Sequence, residues 1–239
     1  MTQDVQKEAS STILALDTCT ESCSVALMTD GRVYQQQVDA PREHSQRLLP
    51  MVESVLNQAQ LKVNNIDYIA YGRGPGSFTG IRICTSMTQG LALGLDVPVI
   101  GISTLAAMAQ IAIEKEAAKQ VFCAIDARMG EVYWGQFIDV NGIATLVGAE
   151  RVSRPEEVEI QLDISASIDC AGTGFDAYPE LLRLSDNMTL CEQAKFPQAS
   201  AMLALAEFGM RKGDATSVDE LAPVYLRDTV TWKKLPGRE

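Results

Sequence analysis

The pattern of hydrophobic and polar positions divides the first hundred residues into short apolar runs and longer segments of helical spacing. Short runs bounded by turn residues predict buried strands, and apolar residues three or four positions apart predict amphipathic helices. These rules predict strands over 11–17, 23–28, 33–38, 66–71 and 97–100, and helices over 42–58 and 79–93. Asp30-Gly31 predicts a hairpin turn between the second and third strands. The predicted order of this part is β-β-β-α-β-α-β.

A similar order of elements returns in the second half of the chain. The pattern there predicts strands over 121–125, 131–138, 144–147 and 167–171, and helices over 155–160 and 199–210. The two halves have no recognisable sequence repeat, but their element order predicts one plan used twice. We therefore expect an α/β protein with two lobes, each a mixed sheet flanked by helices. The predicted lobes are 1–104 and 105–239, divided in a helical stretch over 103–119, and the C-terminal helix and tail can pack back on the first lobe.

A glycine-rich segment, Gly72 to Arg82, connects the predicted strand over 66–71 to the helix after it. Glycines allow positive φ and close backbone approach, and Ser77 or Thr79 can cap the helix. Such a turn suits an anion at the helix N-terminus or the docking of a neighbouring segment. A tight connection without a ligand explains the spacing equally well, because the Walker pattern is absent and the GxGxxG register fails at Ser77 and Thr79.

Composition narrows the function classes. The chain has 239 residues, 46% of them hydrophobic and 21% charged, which is ordinary for a globular protein. Its net charge of -11 repels a phosphate backbone, so any contact with RNA would need a basic partner. The N-terminal ten residues are polar and no apolar run reaches membrane-spanning length, so we expect a cytoplasmic protein with no membrane contact.

Few side chains are suited to metal binding or nucleophilic catalysis. The six cysteines are scattered without a CxxC pair, which favours reduced thiols over a metal site. His44 is the single histidine, and this excludes HExxH and other His-pair metal centres. A Cys84–His44 or Ser–His nucleophile pair would lack a third, orienting residue. We expect no catalytic set, no metal and no cofactor.

Several motifs in combination resemble the TsaB (YeaZ) family. They are Ile13–Thr18, Gly74–Arg82, Gly90–Gly94, Asp126–Tyr133, Pro223–Arg227 and Trp232–Pro236. The resemblance spans nearly the whole chain and implies an actin-like ATPase (ribonuclease H-like) fold. It also implies a role in making N6-threonylcarbamoyladenosine at the adenosine beside the anticodon, position 37, of tRNAs that read codons starting with adenine.

The resemblance implies a non-catalytic scaffold or activating subunit that works with TsaD and TsaE and has no activity alone. The catalytic paralogue TsaD carries metal-binding histidines shortly after its glycine loop, and the matching stretch here, 101–109, has none. Without those ligands a metal centre cannot form at that place. The family also implies a heterodimer with TsaD, self-association as a homodimer when TsaD is absent, and contact with tRNA only through the complex.

Two sets of residues follow from the resemblance. The first is a degenerate nucleotide site formed by Asp17, Thr18, Thr20, Gly74, Gly76, Gly172 and Gly174. Glu21 weakens it, because a carboxylate beside phosphates costs Coulomb energy. The second is a partner interface, half of a four-helix bundle with TsaD, formed by His44, Leu48, Met51, Val55, Ile81, Cys84, Met87 and Leu91. Ordinary core packing is the alternative explanation for apolar faces on these two helices.

Three other functions stay open on the sequence alone. An actin-like ATPase or kinase using Asp17 and the glycine loop would bind nucleotide and turn over with magnesium. A peptidase would need a nucleophile with its base, and the sequence offers no convincing pair. A homodimeric binding module differs from the TsaD-partner hypothesis only in the partner.

Overall fold

The computed structural model describes residues 11–227, which form two five-stranded sheets and five helices within that range. The first part contains β1 (Ile13–Asp17), β2 (Ser22–Thr29), β3 (Arg32–Asp39), α1 (His44–Ala59), β4 (Tyr68–Gly74), α2 (Phe78–Leu95), β5 (Val99–Ser103) and α3 (Thr104–Glu116). The second part contains β6 (Gln120–Arg128), β7 (Glu131–Val140), β8 (Ile143–Ser153), β9 (Ile168–Ala171), α4 (Gly174–Ala177), β10 (Met188–Leu190) and α5 (Ala199–Lys212). The family motif at Trp232–Pro236 lies outside the described residues.

The two sheets share one topology. The first has the order β3-β2-β1-β4-β5, antiparallel across β1, β2 and β3 and parallel across β1, β4 and β5. The second has the order β8-β7-β6-β9-β10, with the same antiparallel and parallel steps. The same plan is therefore used twice. This confirms the predicted α/β class with two mixed sheets flanked by helices.

The first sheet is covered on both faces, as a sheet with parallel strands requires. Side chains alternate along β1, so Leu14 and Leu16 join the core under α1 and α2, while Ile13 and Ala15 join the core on the opposite face. That opposite core contains α3 and α5, and α5 lies against β1, β2 and β5. The C-terminal helix thus packs on the first sheet.

The helix α3 is a layer shared by both sheets. Its buried residues Leu105 and Met108 belong to the same core as Val121 and Cys123 of β6. The other face of β6 carries Phe122, which makes edge contacts with two further aromatic rings in a separate core. The chain between the two sheets is therefore a packed helix rather than an open linker, and where one lobe ends and the other begins stays a prediction.

The predicted strands and helices appear in the structure except the helix over 155–160. The strand predicted over 144–147 extends to Ser153 as β8, and α4 and β10 were not predicted. The helix predicted over 155–160 is only a 3-10 turn, Pro155–Glu157, followed by extended backbone. The buried side chain of Gln136 supplies the reason, because it donates to the Glu159 carbonyl at 2.8 Å and accepts from the Gln161 N–H at 2.8 Å. Those backbone groups are satisfied by a distant side chain and need no helix.

No helix within residues 11–227 combines the length and apolar character needed to cross a membrane.

We predict that Leu105→Ala lowers the free energy of unfolding by about 2–5 kcal/mol, because it leaves a cavity in the layer between the sheets. Leu105 is fully buried there, whereas Leu146 is exposed on β8. Leu146→Ala is the matched control and should change the free energy of unfolding by less than about 1 kcal/mol. Urea unfolding of both variants checks this, and equal effects would contradict a shared core at α3.

Candidate functional site

The glycine loop, residues 72–80, packs directly on the turn between β1 and β2. The Ser77 N–H donates to the Cys19 carbonyl at 2.7 Å, and the Thr18 hydroxyl donates to the Gly80 carbonyl at 2.7 Å. A Cβ added to Gly76 would overlap the Cys19 carbonyl, and one added to Gly80 would overlap the Thr18 carbonyl. The loop is glycine-rich because two backbone segments of this chain approach each other closely here.

The loop also begins α2. Ser77 is the N-cap residue, and its hydroxyl accepts from the Gly80 N–H at 3.0 Å. The same residue therefore caps the helix with its side chain and binds the β1–β2 turn with its backbone. This double role fixes the direction in which α2 leaves the sheet.

Asp17 is enclosed at the end of β1. Its Oδ1 accepts from the Cys19 N–H at 3.1 Å, and its Oδ2 has no hydrogen-bond partner among the described residues. The carboxyl lies against the backbone of Gly72, where a Cβ would overlap Oδ2. Burial raises the pKa of Asp17 from 3.8 to about 7. An enclosed carboxyl of this kind offers no open approach to a phosphate or its cation.

Two buried thiols line the same region. Cys19 Sγ donates to the Gly72 carbonyl and Cys84 Sγ to the Leu16 carbonyl, both at 3.3 Å. The hydrogen bond between the Cys19 and Cys84 thiols, together with burial, holds the pKa of the Cys19 thiol well above its usual value. Both residues thus act as small packing groups with satisfied S–H donors. Within residues 11–227 no group of three or more His, Cys, Asp or Glu side chains is arranged to hold a metal ion.

The predicted nucleotide-site residues fall into two groups on different sheets. Asp17, Thr18, Thr20, Gly74 and Gly76 lie together at the end of β1 and in the glycine loop. Gly172 and Gly174 lie at the end of β9 and the start of α4, where both pack against Ala124 of β6. In both groups glycine permits close packing within the chain. A degenerate nucleotide site stays a prediction.

A contact between the two sheets runs beside these groups. Arg128, at the β6–β7 turn, pairs with Asp126 at 2.9 Å and with Glu21 of the β1–β2 turn at 3.3 Å. Glu21, which the sequence presents only as an obstacle to phosphate binding, is thus part of a contact between the two sheets. The sequence feature that could have indicated this contact is the family motif Asp126–Tyr133, because it contains Arg128.

The segment after α5 lies over the outer side of the glycine loop. The Val224 N–H donates to the Arg73 carbonyl at 2.7 Å, and Tyr71 Oη lies 3.3 Å from both the N–H and the carbonyl oxygen of Ala222. Arg227 then reaches the second sheet, donating from Nε to Glu131 at 2.9 Å. The motif Pro223–Arg227 thus connects the glycine loop to the β6–β7 turn.

The predicted interface residues lie mainly inside the first lobe. Leu48, Met51, Val55 and Cys84 belong to the core between the helices and the first sheet, Met87 and Leu91 pack half-buried against it, and His44 and Ile81 are buried as well. The helical spacing of apolar residues thus selected the face of each helix that packs against the first sheet. Any partner of these helices would have to contact residues exposed on their opposite faces, and the interface stays a prediction.

The exposed face of α2 carries no charge beyond the helix's first turn and a half. Arg82 is the single charged residue among the 18 of α2. The α2 face is defined here by its exposed residues Ser86, Gln89, Gly90, Leu93 and Gly94. Solvent-facing helix surfaces in globular proteins are normally polar and charged. Leu93 is 57% exposed on this face, and the glycines leave room for a second helix to approach.

A shallow apolar pocket adds to the exposed surface of α1. It has a volume of about 350 Å³ and lies between α1 and the turn after it. Apolar residues such as Leu49, Leu61 and Val63 line it, together with Glu53, Asn57 and Lys62. Leu49 lies one position beyond the buried Leu48 and is exposed. Both helices that cover the first sheet therefore present apolar surface outward.

Comparison with known proteins identifies the chain's relatives. A family model described as "TsaD: tRNA N6-adenosine threonylcarbamoyltransferase" matches residues 33–235. The "tRNA threonylcarbamoyladenosine biosynthesis protein TsaB" of Escherichia coli K12 is 47% identical over 229 residues, covering 95% of this chain and 99% of that protein. The chain belongs to the TsaB family.

Further relatives agree with this assignment. The TsaB protein of Haemophilus influenzae is 43% identical over 236 residues, covering 95% of this chain and 98% of that protein. A solved structure described as "YeaZ from Pseudomonas aeruginosa" superposes with a TM-score of 0.85 at 43% identity, covering 91% of this chain and all of that one. The resemblance of the motifs to the TsaB family and the expected fold are confirmed.

We predict that Gly76→Ala destabilises this TsaB-family chain by about 1–3 kcal/mol, because the new Cβ overlaps a backbone carbonyl that cannot rotate away. Gly94→Ala is the matched control, since nothing lies within 4 Å of an added Cβ there. In the control the helix propensity of alanine should stabilise α2 by up to about 1 kcal/mol. Thermal melts distinguish the two, and equal shifts would argue against close packing of the glycine loop.

We predict that Asp17→Asn removes a pH-dependent loss of stability. The folded pKa of about 7 lies above the unfolded value of 3.8, so the native state binds more protons between these values. The free energy of unfolding of the wild type should therefore fall relative to Asp17→Asn as pH rises from about 4 to about 7. Urea unfolding across this range measures the difference. A difference independent of pH would show that Asp17 ionises normally.

Proposed function

We propose that this chain is the non-catalytic scaffold or activating subunit that, with TsaD and TsaE, supports formation of N6-threonylcarbamoyladenosine at position 37 of tRNAs reading codons that start with adenine. The observation that carries the proposal is the uncharged, exposed α2 face on an otherwise well-packed lobe. A helix surface of this kind is stabilised when a partner covers it. The names of the relatives supply the process in which that partner works.

Close packing around Asp17 and the glycine loop, at the end of β1, favours a scaffold over an independent enzyme. The phosphate-facing groups of an ATPase would have to come from Asp17 and the glycine loop. Here Asp17 is buried against Gly72, and the Ser77 N–H binds the Cys19 carbonyl. These contacts occupy the backbone and space that a phosphate would need.

The partner we propose for the α2 face is TsaD, through a helix bundle that also uses the exposed surface of α1. We expect the same uncharged face to mediate self-association when TsaD is absent, because an uncovered face of this kind can pair with a second copy. The net charge of -11 favours contact with tRNA through the assembled complex rather than by this chain alone. We expect this complex to work in the cytoplasm.

Reconstitution tests the function directly. Threonylcarbamoylation of tRNA is measured in a mixture of the adenylate synthase, TsaD and TsaE, with and without this chain. Product should be lost when the chain is omitted, and none should form when TsaD is omitted instead. Equal product without the chain would contradict the scaffold role.

We predict that Leu93→Glu weakens binding to TsaD at least tenfold, because a carboxylate would be buried in an apolar interface. Leu93 is 57% exposed in the single chain, so its fold should be unchanged in a circular-dichroism melt. Ile164→Glu is the matched control at 56% exposure, distant in sequence from α2. Isothermal titration with TsaD measures both, and wild-type affinity for Leu93→Glu would rule out the α2 face.

A further inference from the structure

The proposed function makes no use of the buried carboxyl of Asp17. Asp17 is fully buried at the end of β1, and its Oδ2 has no hydrogen-bond partner among the described residues. Its Oδ1 accepts from the Cys19 N–H at 3.1 Å. A carboxyl in this position tolerates burial as a neutral group, because the ionised form would lose its hydration without compensation. The protonation state of Asp17 is therefore coupled to how closely the surrounding chain packs on it.

No charged side chain of the surrounding strands or of α2 compensates the Asp17 carboxyl. Within residues 11–227 no lysine or arginine pairs with it. Glu21 of the β1–β2 turn and Arg73 of β4 form ion pairs with residues of the second lobe, and β2 contains no charged residue. The single charge of α2, Arg82, lies over the Phe78 ring at 3.7 Å.

The helices that begin near Asp17 supply no charge either. The first residue of α3, Thr104, contacts the Cys19 thiol. The first residue of α5, Ala199, donates its N–H at 3.0 Å to Ser24, which is opposite Asp17 in β2. The first two turns of both helices contain no charged residue. The titratable groups that face Asp17 are the thiols of Cys19, Cys23 and Cys84.

Loss of the Asp17 proton would act on the glycine loop. Oδ2 lies so close to Gly72 that an added Cβ would overlap it. A carboxylate needs water or a donor at that oxygen, and the backbone of Gly72 occupies the space. Room for water requires the β1–β2 turn to move away from the end of β4. The hydrogen bond from the Ser77 N–H to the Cys19 carbonyl, 2.7 Å long, joins these two segments and would then open.

This hydrogen bond connects Asp17 to the α2 face, because Ser77 also caps α2. We propose that Asp17 is a proton-dependent switch for partner binding. Neutral Asp17 lets the glycine loop close on the β1–β2 turn and keeps the α2 face oriented for TsaD. Loss of its proton opens this contact and weakens TsaD binding. The switch rests on the proposed function, and the Asp17 pKa of about 7 places it near neutral pH.

The test measures TsaD affinity by isothermal titration at about pH 6 and about pH 8 for the wild type, Asp17→Asn and Asp186→Asn. Wild-type affinity should fall up to roughly tenfold relative to Asp17→Asn, because the neutral fraction of Asp17 falls by that factor around a pKa of about 7. Asp17→Asn is neutral at both pH values, and titration of TsaD itself is common to all three proteins. Asp186→Asn removes an exposed carboxylate and should follow the wild type.

The wild type alone supplies a second measurement, which decides the matter even if Asp17→Asn fails to fold. Carbon-13 NMR of the Asp17 carboxyl reports its protonation, and hydrogen exchange reports opening of the Ser77 amide. As pH rises through the Asp17 pKa, the protection factor of the Ser77 amide should fall, while that of Phe137 in β7 stays constant. Bound TsaD should keep the Asp17 carboxyl neutral at about pH 8, since the coupling of proton and partner is reciprocal.

Three results would overturn the switch, and one of them separates it from the proposed function. An affinity ratio of the wild type to Asp17→Asn that is equal at both pH values would show that Asp17 does not control binding. An ionised Asp17 with an undiminished protection factor at Ser77 would show that the loop stays closed around the charge. Absence of TsaD binding by the wild type at both pH values would refute the proposed partner, and the switch with it.

Discussion

The close backbone contact between the glycine loop and the β1–β2 turn is the constraint on which the rest of the first lobe depends. It requires glycine at positions 76 and 80, where a side chain would overlap a carbonyl of the turn. It also fixes Ser77, which binds the turn and caps α2. Because α2 starts from this contact, its buried face is set against the first sheet and its uncharged face is set toward solvent. The same contact encloses Asp17 and raises its pKa. The glycine loop, a kind of segment that can bind phosphate, thus sets the direction of α2 in this chain.

The second lobe uses the same solution for packing. Gly172 and Gly174 lie against Ala124 as the loop glycines lie against the β1–β2 turn, and the strand order is the same in both sheets. The two sheets share α3 and α5 as a common layer. One set of helices covers the inner faces of both sheets. The helix surface that stays exposed therefore lies on the outer helices, and the segment after α5 is exposed beside them.

The exposed face of α2 is an unusual surface for a helix in contact with water. The α2 face is small and uncharged, which suits a packed helix. Ion pairs between the lobes, such as Arg128 with Glu21, hold the β6–β7 turn near the glycine loop.

The order of most strands and helices, the Asp30-Gly31 hairpin turn and the repeated plan followed from the sequence, because local periodicity and turn chemistry depend on near neighbours. The short elements α4 and β10 were not predicted. The helix expected over 155–160 did not form, since the side chain of Gln136 satisfies its backbone from a distant strand. The predicted interface residues likewise show that a local pattern does not reveal which segments a helix contacts. Helical spacing placed Leu48 on an apolar face, but only the fold shows that this face covers the first sheet while Leu49 faces outward. Periodicity reports which residues share a face, and tertiary packing decides what covers it, because burial depends on contacts between segments far apart in the chain.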